Sequence, residues 1–189
     1  MIKSLNVIRP RDLDQAGIPR VYLYRMAKRG LVRRVGRGLY LPKGIEPTEN
    51  HSLAEAGKLY PKGVICLLSA LQFHNLTTQG PFEVWMAIDE KAKRPKPKHP
   101  AIRFLRFSKK SLTEGIEEHK IEGVQVRVYN PAKTVADLFK YRNKVGLDVA
   151  LEALRDCREQ RKCSDDYLWK YAKICRVQNV MRPYLEALG

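Results

Sequence analysis

The first 45 residues carry a hydrophobic pattern typical of two short helices followed by two strands. Residues 9–17 predict a helix that ends at a glycine, and Pro19 favours the start of a second helix over residues 20–29. Apolar side chains share one face of that second helix, and basic and aromatic ones share the other. Residues 31–41 predict two strands around Gly36-Arg37-Gly38. The pattern therefore predicts a helix-turn-helix with a β wing.

The remaining residues predict a mixed α and β region. Helices are expected at 50–59, 64–74, 131–140, 147–160 and from Ser164, with a last helical segment that ends at 188. Strands are expected at 82–88, at 102–107 and on both sides of a Glu122-Gly123 turn. The polar segment 46–50 contains a proline and is typical of a boundary. We expect an α+β protein with a winged helix-turn-helix domain at 1–45 and a second domain at 46–189.

The positive charge is concentrated in two blocks. The chain of 189 residues has a formal net charge of +16. Residues 1–45 hold eleven Lys and Arg against two acidic residues, and residues 91–110 hold nine Lys and Arg against none. The rest of the chain has a slightly negative sum, so these two blocks account for the excess. Such an excess indicates a polyanionic partner, most often nucleic acid.

Composition indicates a globular protein in the cytoplasm. No segment approaches the ~20 apolar residues of a membrane span, and residues 1–10 lack the apolar block of a signal peptide. The four cysteines, at 66, 157, 163 and 175, have neither zinc-ligand spacing nor a dense disulfide pattern, so we expect reduced thiols. The four histidines offer no zinc pattern either, and neither a metal nor a cofactor is expected.

Direct readout of DNA would use the outward side of the second helix, because a major groove admits a helix whose side chains reach the base edges. The candidates on this helix are Arg20, Val21, Tyr24, Arg25 and Lys28. Other arginines are placed to contact phosphate or the minor groove. These are Arg9, Arg11, Arg29, Arg33, Arg34 and Arg37.

The second basic block includes a segment that its prolines exclude from a regular helix. The segment 91–100 is therefore expected to be a loop. It is either a solvated connection between two strands or a second contact with nucleic acid or a partner protein. The basic residues concerned are Lys91, Lys93, Arg94, Lys96 and Lys98.

Four segments, at 61–74, 83–88, 112–119 and 126–137, resemble the AbiEi antitoxins of type IV toxin-antitoxin systems. Together with the winged helix, the resemblance extends over nearly the whole chain. It implies that the N-terminal domain binds inverted repeats in its own promoter and represses the operon. It also implies that the C-terminal domain counteracts a nucleotidyltransferase-like toxin. Members of this family usually begin with an additional helix, whereas only eight residues precede Arg9, so that helix is expected to be short or absent.

Two other functions stay open at this point. Asp89 ends one predicted strand and Glu118 lies on another, which loosely resembles the spacing in metal-dependent nucleases targeted by a winged helix. Ser69 and His74 lie on an apolar stretch without a glycine elbow, so no catalytic residue is expected. The other alternative is a repressor whose second domain senses a ligand. No heptad pattern predicts an obligate dimer, so two monomers could pair on inverted repeats.

Overall fold

The structure is a computed structural model that describes residues 7–36, 38–44, 48–93, 95 and 99–187, with only the backbone of Gly36 and Lys109. The additional N-terminal helix of the family, expected to be short or absent here, would fall before Arg9, where residues 1–6 lie outside the described residues. The expected boundary at 46–50 also falls partly outside them. The division into domains 1–45 and 46–189 therefore stays a prediction.

The N-terminal part forms the predicted helices and wing. Helix α1 spans Pro10–Gln15, α2 spans Val21–Lys28, and strands β1 (Val32–Gly36) and β2 (Leu39–Pro42) pair antiparallel. Gly17 has a φ of +68°, a conformation that glycine adopts without strain, and this lets the chain turn directly from α1 towards α2. Helix α2 begins two residues after Pro19, whose carbonyl accepts a hydrogen bond from the Tyr22 amide at 3.0 Å. The predicted helix-turn-helix and wing are thus confirmed.

The second part is built on a five-stranded mixed sheet with strand order β5-β4-β3-β7-β6. Its strands are β3 (Val64–Ile65), β4 (Val84–Asp89), β5 (Ile102–Phe107), β6 (Ile116–Ile121) and β7 (Val124–Tyr129). Its helices are α3 (His51–Leu59), α4 (Leu67–Phe73), α5 (Lys109–Thr113), α6 (Pro131–Lys140), α7 (Arg142–Val145), α8 (Leu147–Glu159), α9 (Asp165–Ile174) and α10 (Gln178–Ala187). Together with the winged helix this confirms an α+β fold.

Each face of the sheet has its own apolar cluster. On one face Trp85 and Ala87 pack with side chains of α6 and the C-terminal helices. On the other face Val84 and Met86, which alternate with them along β4, pack with side chains of α3. Val7 and Leu39 from the N-terminal part are fully buried in this second cluster. The winged helix therefore lies on the α3 face of the sheet and shares its core.

Several helices and strands of the second part were predicted correctly from capping residues and turns in the sequence. Asn130 caps α6 by accepting a hydrogen bond from the Lys133 amide at 2.8 Å, and Pro131 is the first helical residue. Ser164 likewise accepts a hydrogen bond from the Tyr167 amide at the start of α9. Strand β5 has the predicted limits, and the turn between β6 and β7 lies at residues 122–123.

Other expectations were wrong. Residues 64–74 were expected to form one helix, but 64–65 form the central strand β3 and only 67–73 are helical. Phe82 was expected in a buried strand, but its side chain is fully exposed and β4 begins at Val84. Asn50 precedes α3 without a side-chain capping bond. Cys157 and Cys163 form a disulfide, so only Cys66 and Cys175 are free thiols among the four cysteines.

Candidate nucleic-acid interface

Helix α2 exposes a row of large side chains on its outward face. Leu23 is buried in the small core of the winged helix, where it packs with Ile8, Leu13 and Val32. On the opposite side the exposed fractions are 48% for Val21 and 60% for Tyr24. The inward and outward faces predicted for α2 are therefore the ones observed.

The basic residues of α2 lie against its tyrosines. The Arg25 guanidinium carbon is 5.6 Å from the centre of the Tyr22 ring, and Lys28 Nζ is 5.2 Å from the centre of the Tyr24 ring. These are cation–π distances. Tyr22 is 50% exposed and was missed in the sequence, because it falls between the two faces that the helical spacing separates. The result is an exposed surface on which each of these two cations lies over a tyrosine ring.

Arg20 immediately precedes α2 and is held by an acidic residue of α1. Its Nε and Nη2 atoms donate hydrogen bonds to the Asp14 carboxylate at 2.9 and 2.5 Å. These hydrogen bonds lower the pKa of Asp14 below its ordinary value of 3.8. A base contact by Arg20 would therefore compete with its ion pair to Asp14. Arg25 and Lys28 form no ion pair with an acidic side chain among the described residues.

Arg29, Arg33, Arg34 and Arg11 are exposed around α2 and the wing. Arg29 directly follows α2, and Arg33 and Arg34 lie on β1, where they pair with Leu41 and Tyr40 of β2. Arg37, the predicted tip of the wing, lies outside the described residues. The basic side chains of α2 and β1 fall within the short segment 25–34. They also lie near each other in space, because α2 and β1 contact each other.

Arg9 is directed towards the second part of the chain. Its Nη1 atom donates a hydrogen bond to the Lys58 carbonyl at the end of α3. Lys58 Nζ in turn lies 2.7 Å from an Asp12 oxygen, and that oxygen also accepts a hydrogen bond from the Arg9 amide at 2.8 Å. Arg9 and its neighbours thus connect α1 to α3, a role that counting arginines in the sequence does not reveal.

The segment between β4 and β5 is a loop in its described residues, as predicted. Lys91 and Lys93 are exposed, whereas Arg94, Lys96 and Lys98 lie outside the described residues. Ala92 packs against the apolar cluster that contains Val7 and Leu39. The first part of the loop therefore lies on the same face of the sheet as the winged helix.

The nuclease alternative loses its supporting geometry. Asp89 is on β4 and Glu118 on β6, and two strands, β3 and β7, separate them. Three strand spacings of about 4.8 Å place them about 14 Å apart at least. Glu118 instead accepts a hydrogen bond from Gln125 at 3.1 Å, and Asp89 accepts one from the Lys91 amide at 2.8 Å. No group of three possible metal ligands occurs within the described ranges.

Ser69 and His74 have structural partners. The Ser69 hydroxyl is buried and accepts a hydrogen bond from the Trp85 amide at 2.9 Å. The His74 ring lies with Nε2 at 2.7 Å from the Tyr129 carbonyl, and burial lowers the pKa of this histidine. Both residues therefore fix α4 to the sheet, as their position on an apolar helix suggests.

A comparison with protein families gives a match over the segment that contains α2 and the wing. Residues 2–43 match the family of transcriptional regulators described as AbiEi antitoxin. The resemblance to AbiEi antitoxins is thus confirmed over the segment that forms α1, α2 and the wing. The match favours an antitoxin and DNA-binding role for this segment. No curated protein matches the chain.

The helices of the second part give no sign of a membrane span. None that the structure describes is both long and apolar enough to cross a bilayer.

Proposed function

We propose that this protein is a transcriptional autorepressor and the antitoxin of a type IV toxin-antitoxin system. Helix α2 and the wing bind duplex operator DNA that contains inverted repeats, on which two monomers pair. The second part of the chain counteracts a cognate nucleotidyltransferase toxin, directly or functionally. The protein acts in the cytoplasm as a binding protein without a cofactor or chemistry of its own.

One observation carries the DNA-binding proposal: the outward face of α2 exposes Tyr22 and Tyr24 with Arg25 and Lys28 stacked on them. Covering exposed aromatic rings with a partner is favourable, because it removes their apolar surface from water. The helix that follows the turn of a helix-turn-helix is the one that enters the major groove. Cations beside the rings provide contacts to base edges or phosphates.

The basic loop extends this proposal. We assign Lys91 and Lys93 of the loop, with Arg94, Lys96 and Lys98, a secondary contact with DNA or with the partner protein. Support comes from Ala92, which packs on the face of the sheet that also carries the winged helix. Both blocks of positive charge then act on one polyanion, and this favours DNA over the toxin as the ligand of the loop.

The test measures the affinity of the full chain for DNA from its own promoter. The variant Arg25→Ala/Lys28→Ala removes both stacked cations. Each good base contact contributes about 1–3 kcal/mol, so loss of two such contacts should weaken binding about thirtyfold to about twenty-thousandfold, and less so if both residues contact only phosphate.

The matched control is Lys170→Ala/Lys173→Ala. It removes the same charge from exposed positions on α9, whose buried residues pack on the opposite face of the sheet. The control should bind almost as the unaltered chain does. Equal affinities of the two double variants would refute the assignment of α2 as the recognition helix.

A further inference from the structure

Asp14 and Arg20 link the two helices of the helix-turn-helix through their side chains. Asp14 lies in the last turn of α1, directly after the buried Leu13, and Arg20 immediately precedes α2. The Arg20 carbonyl accepts a hydrogen bond from the amide of the buried Leu23 at 3.1 Å. The small core of the winged helix therefore fixes both backbones, while both side chains reach solvent, with exposed fractions of 64% for Arg20 and 43% for Asp14.

The Asp14 carboxylate occupies one edge of the Arg20 guanidinium. Asp14 Oδ1 accepts a hydrogen bond from Nε at 2.9 Å, and Asp14 Oδ2 accepts one from Nη2 at 2.5 Å. Such bidentate pairing has a fixed geometry, because the guanidinium is planar and its five N–H groups point in set directions. On the other edge, Nη1 donates no hydrogen bond to a residue in the described part of the chain. Arg20 thus keeps one N–H group of Nη1 and the outer one of Nη2 for a ligand.

The free edge of Arg20 suits guanine. In the major groove guanine presents two acceptors side by side, O6 and N7, and arginine binds both through a pair of N–H groups. Residues at the N-terminal end of a recognition helix are the ones that contact base edges in a helix-turn-helix. Arg20 has this position in α2, whereas Arg25 and Lys28 lie in the second half of the helix. Competition between DNA and Asp14 therefore concerns only the edge that Asp14 occupies.

The pair is ionised and carries no net charge. The hydrogen bonds from Arg20 lower the pKa of Asp14 below its ordinary value, and the charge of Arg11 acts in the same direction. Because Asp14 neutralises it, Arg20 adds little to the attraction of DNA of any sequence. Arg25 and Lys28, which form no ion pair among the described residues, supply that general attraction instead. Arg20 is thereby suited to specificity more than to overall affinity.

We propose that Asp14 is a positioning residue for base recognition, which holds Arg20 so that its free edge reads one guanine in each operator half-site. The inference rests on the proposed function, in which α2 enters the major groove. An arginine that is ordered before binding loses less side-chain entropy at the guanine, and this favours the correct base by about twofold to tenfold. The negative charge of Asp14 meanwhile repels the phosphates of any sequence. Asp14 should therefore raise specificity without raising affinity for DNA in general.

The experiment measures how strongly the full chain discriminates at each guanine of its promoter DNA. Dissociation constants are compared for the natural sequence and for duplexes in which one G·C pair at a time is replaced by A·T. An arginine that binds guanine with two hydrogen bonds discriminates by about fivefold to 150-fold. At least one replacement in each half-site should therefore weaken binding of the unaltered chain by this factor.

Two variants separate the roles of the pair. Arg20→Lys keeps the charge but has no planar fork, so it should lose discrimination at that base pair and at no other. Asp14→Ala should reduce discrimination at the same base pair by about twofold to tenfold. Its affinity for DNA of unrelated sequence should stay equal or rise, because a negative charge has been removed.

The matched control is Asp165→Ala at the start of α9, on the opposite face of the sheet. Arg158 donates to Asp165 through the same two atoms, Nε and Nη2, at 2.9 and 2.6 Å. The control removes the same charge and the same kind of ion pair, and it should leave discrimination unchanged at every base pair.

A purely structural role of the pair predicts another result. If Asp14 only fixed α1 to α2, Asp14→Ala would lower the affinity for all DNA sequences together with the midpoint of urea unfolding, and this would overturn the proposal. Unchanged or larger discrimination by Asp14→Ala would also overturn it, because Asp14 would then leave Arg20 unaffected or compete with the base.

Failure of the inference is distinguishable from failure of the proposed function. If the unaltered chain does not bind its promoter DNA, the proposed function fails and the inference fails with it. If binding depends on Arg25 and Lys28 but Arg20→Lys discriminates at every guanine as the unaltered chain does, the proposed function stands and only the inference is overturned.

Discussion

A fragment that begins at Thr48 tests whether the second part of the chain neutralises the toxin alone. The fragment keeps about 140 residues, which is ample for an independent core. It also keeps both clusters of the sheet except for the buried Val7 and Leu39 and the partly buried Val35. We therefore expect the fragment to fold and to rescue growth when it is co-expressed with the cognate toxin, but not to repress the promoter.

The structure gives the cost of this truncation. Val7 and Leu39 are both fully buried, and burying such a side chain contributes about 1.5–3 kcal/mol. Loss of both removes about 3–6 kcal/mol of packing from the α3 face. The ion pair between Asp12 and Lys58 adds little, since isolated pairs near the surface are worth about 1 kcal/mol or less. Domains have about 5–15 kcal/mol of stability, so the fragment should unfold at lower urea concentration but remain folded without denaturant.

The assay follows growth and a promoter reporter in the same cells, and urea unfolding measures the purified fragment. The control is the full chain with Arg25→Ala/Lys28→Ala, which keeps all of the winged helix but should lose repression. If this control rescues growth and a folded fragment does not, separability is refuted. The winged helix would then form part of the surface that neutralises the toxin.

Three further predictions concern charges. Asp137 and Lys133 are fully buried and paired at 2.5 Å. Asp137→Ala should lower the free energy of unfolding, measured with urea, by about 3–5 kcal/mol because it leaves a buried charge unpaired. Lys133→Met/Asp137→Leu should change that free energy little or raise it, because it removes both charges. Promoter affinity should fall steeply with salt in a binding titration, because each neutralised phosphate releases about 0.9 counterion, and a flat dependence would indicate another partner. Asp89→Ala/Glu118→Ala should leave repression and growth rescue unchanged in the reporter strain, whereas a nuclease would lose its function.

Elements with strong local signals were predictable from the sequence. The Asn130-Pro131 pair places a capping side chain and a residue with a fixed φ at the start of α6, and both act within four residues. The Glu122-Gly123 turn has positive φ at both residues, at 49° and 78°, as a type I′ hairpin turn requires. In both cases neighbouring residues determine the backbone geometry, so the local sequence is enough to predict the element.

The segment 64–74 shows why other elements were missed. Its apolar residues form a nearly continuous run, and such a run does not distinguish a buried strand from a buried helix. In the structure Val64 and Ile65 pair with β4 on one side and β7 on the other, so strands far along the chain decide their conformation. The change from strand to helix occurs at Cys66, which has extended backbone angles before α4 begins.

The cluster of His51, Glu55, His99 and Glu122 was unpredictable for a similar reason. His51 and Glu55 are four residues apart, but their partners at 99 and 122 are distant in the sequence and belong to a loop and a turn. No spacing rule connects these positions. Each of these residue types is also common on protein surfaces, so none of them marks a buried cluster by itself. These side chains meet only because the loop and the turn between β6 and β7 pack against α3 in the folded chain, where the Glu55 carboxylate is buried.

The contacts between the two parts also explain how the short winged helix is held in place. Its own core among the described residues consists of Ile8, Leu13, Leu23 and Val32, with a few partly buried neighbours. Units below about 40 residues usually need additional support to fold. Here that support comes from the second part, through the burial of Val7 and Leu39 and through the hydrogen bond and ion pair of Lys58. The second part therefore holds the winged helix in place, so under the proposed function a change on the α3 face should alter DNA affinity even though it lies outside the proposed DNA-binding residues.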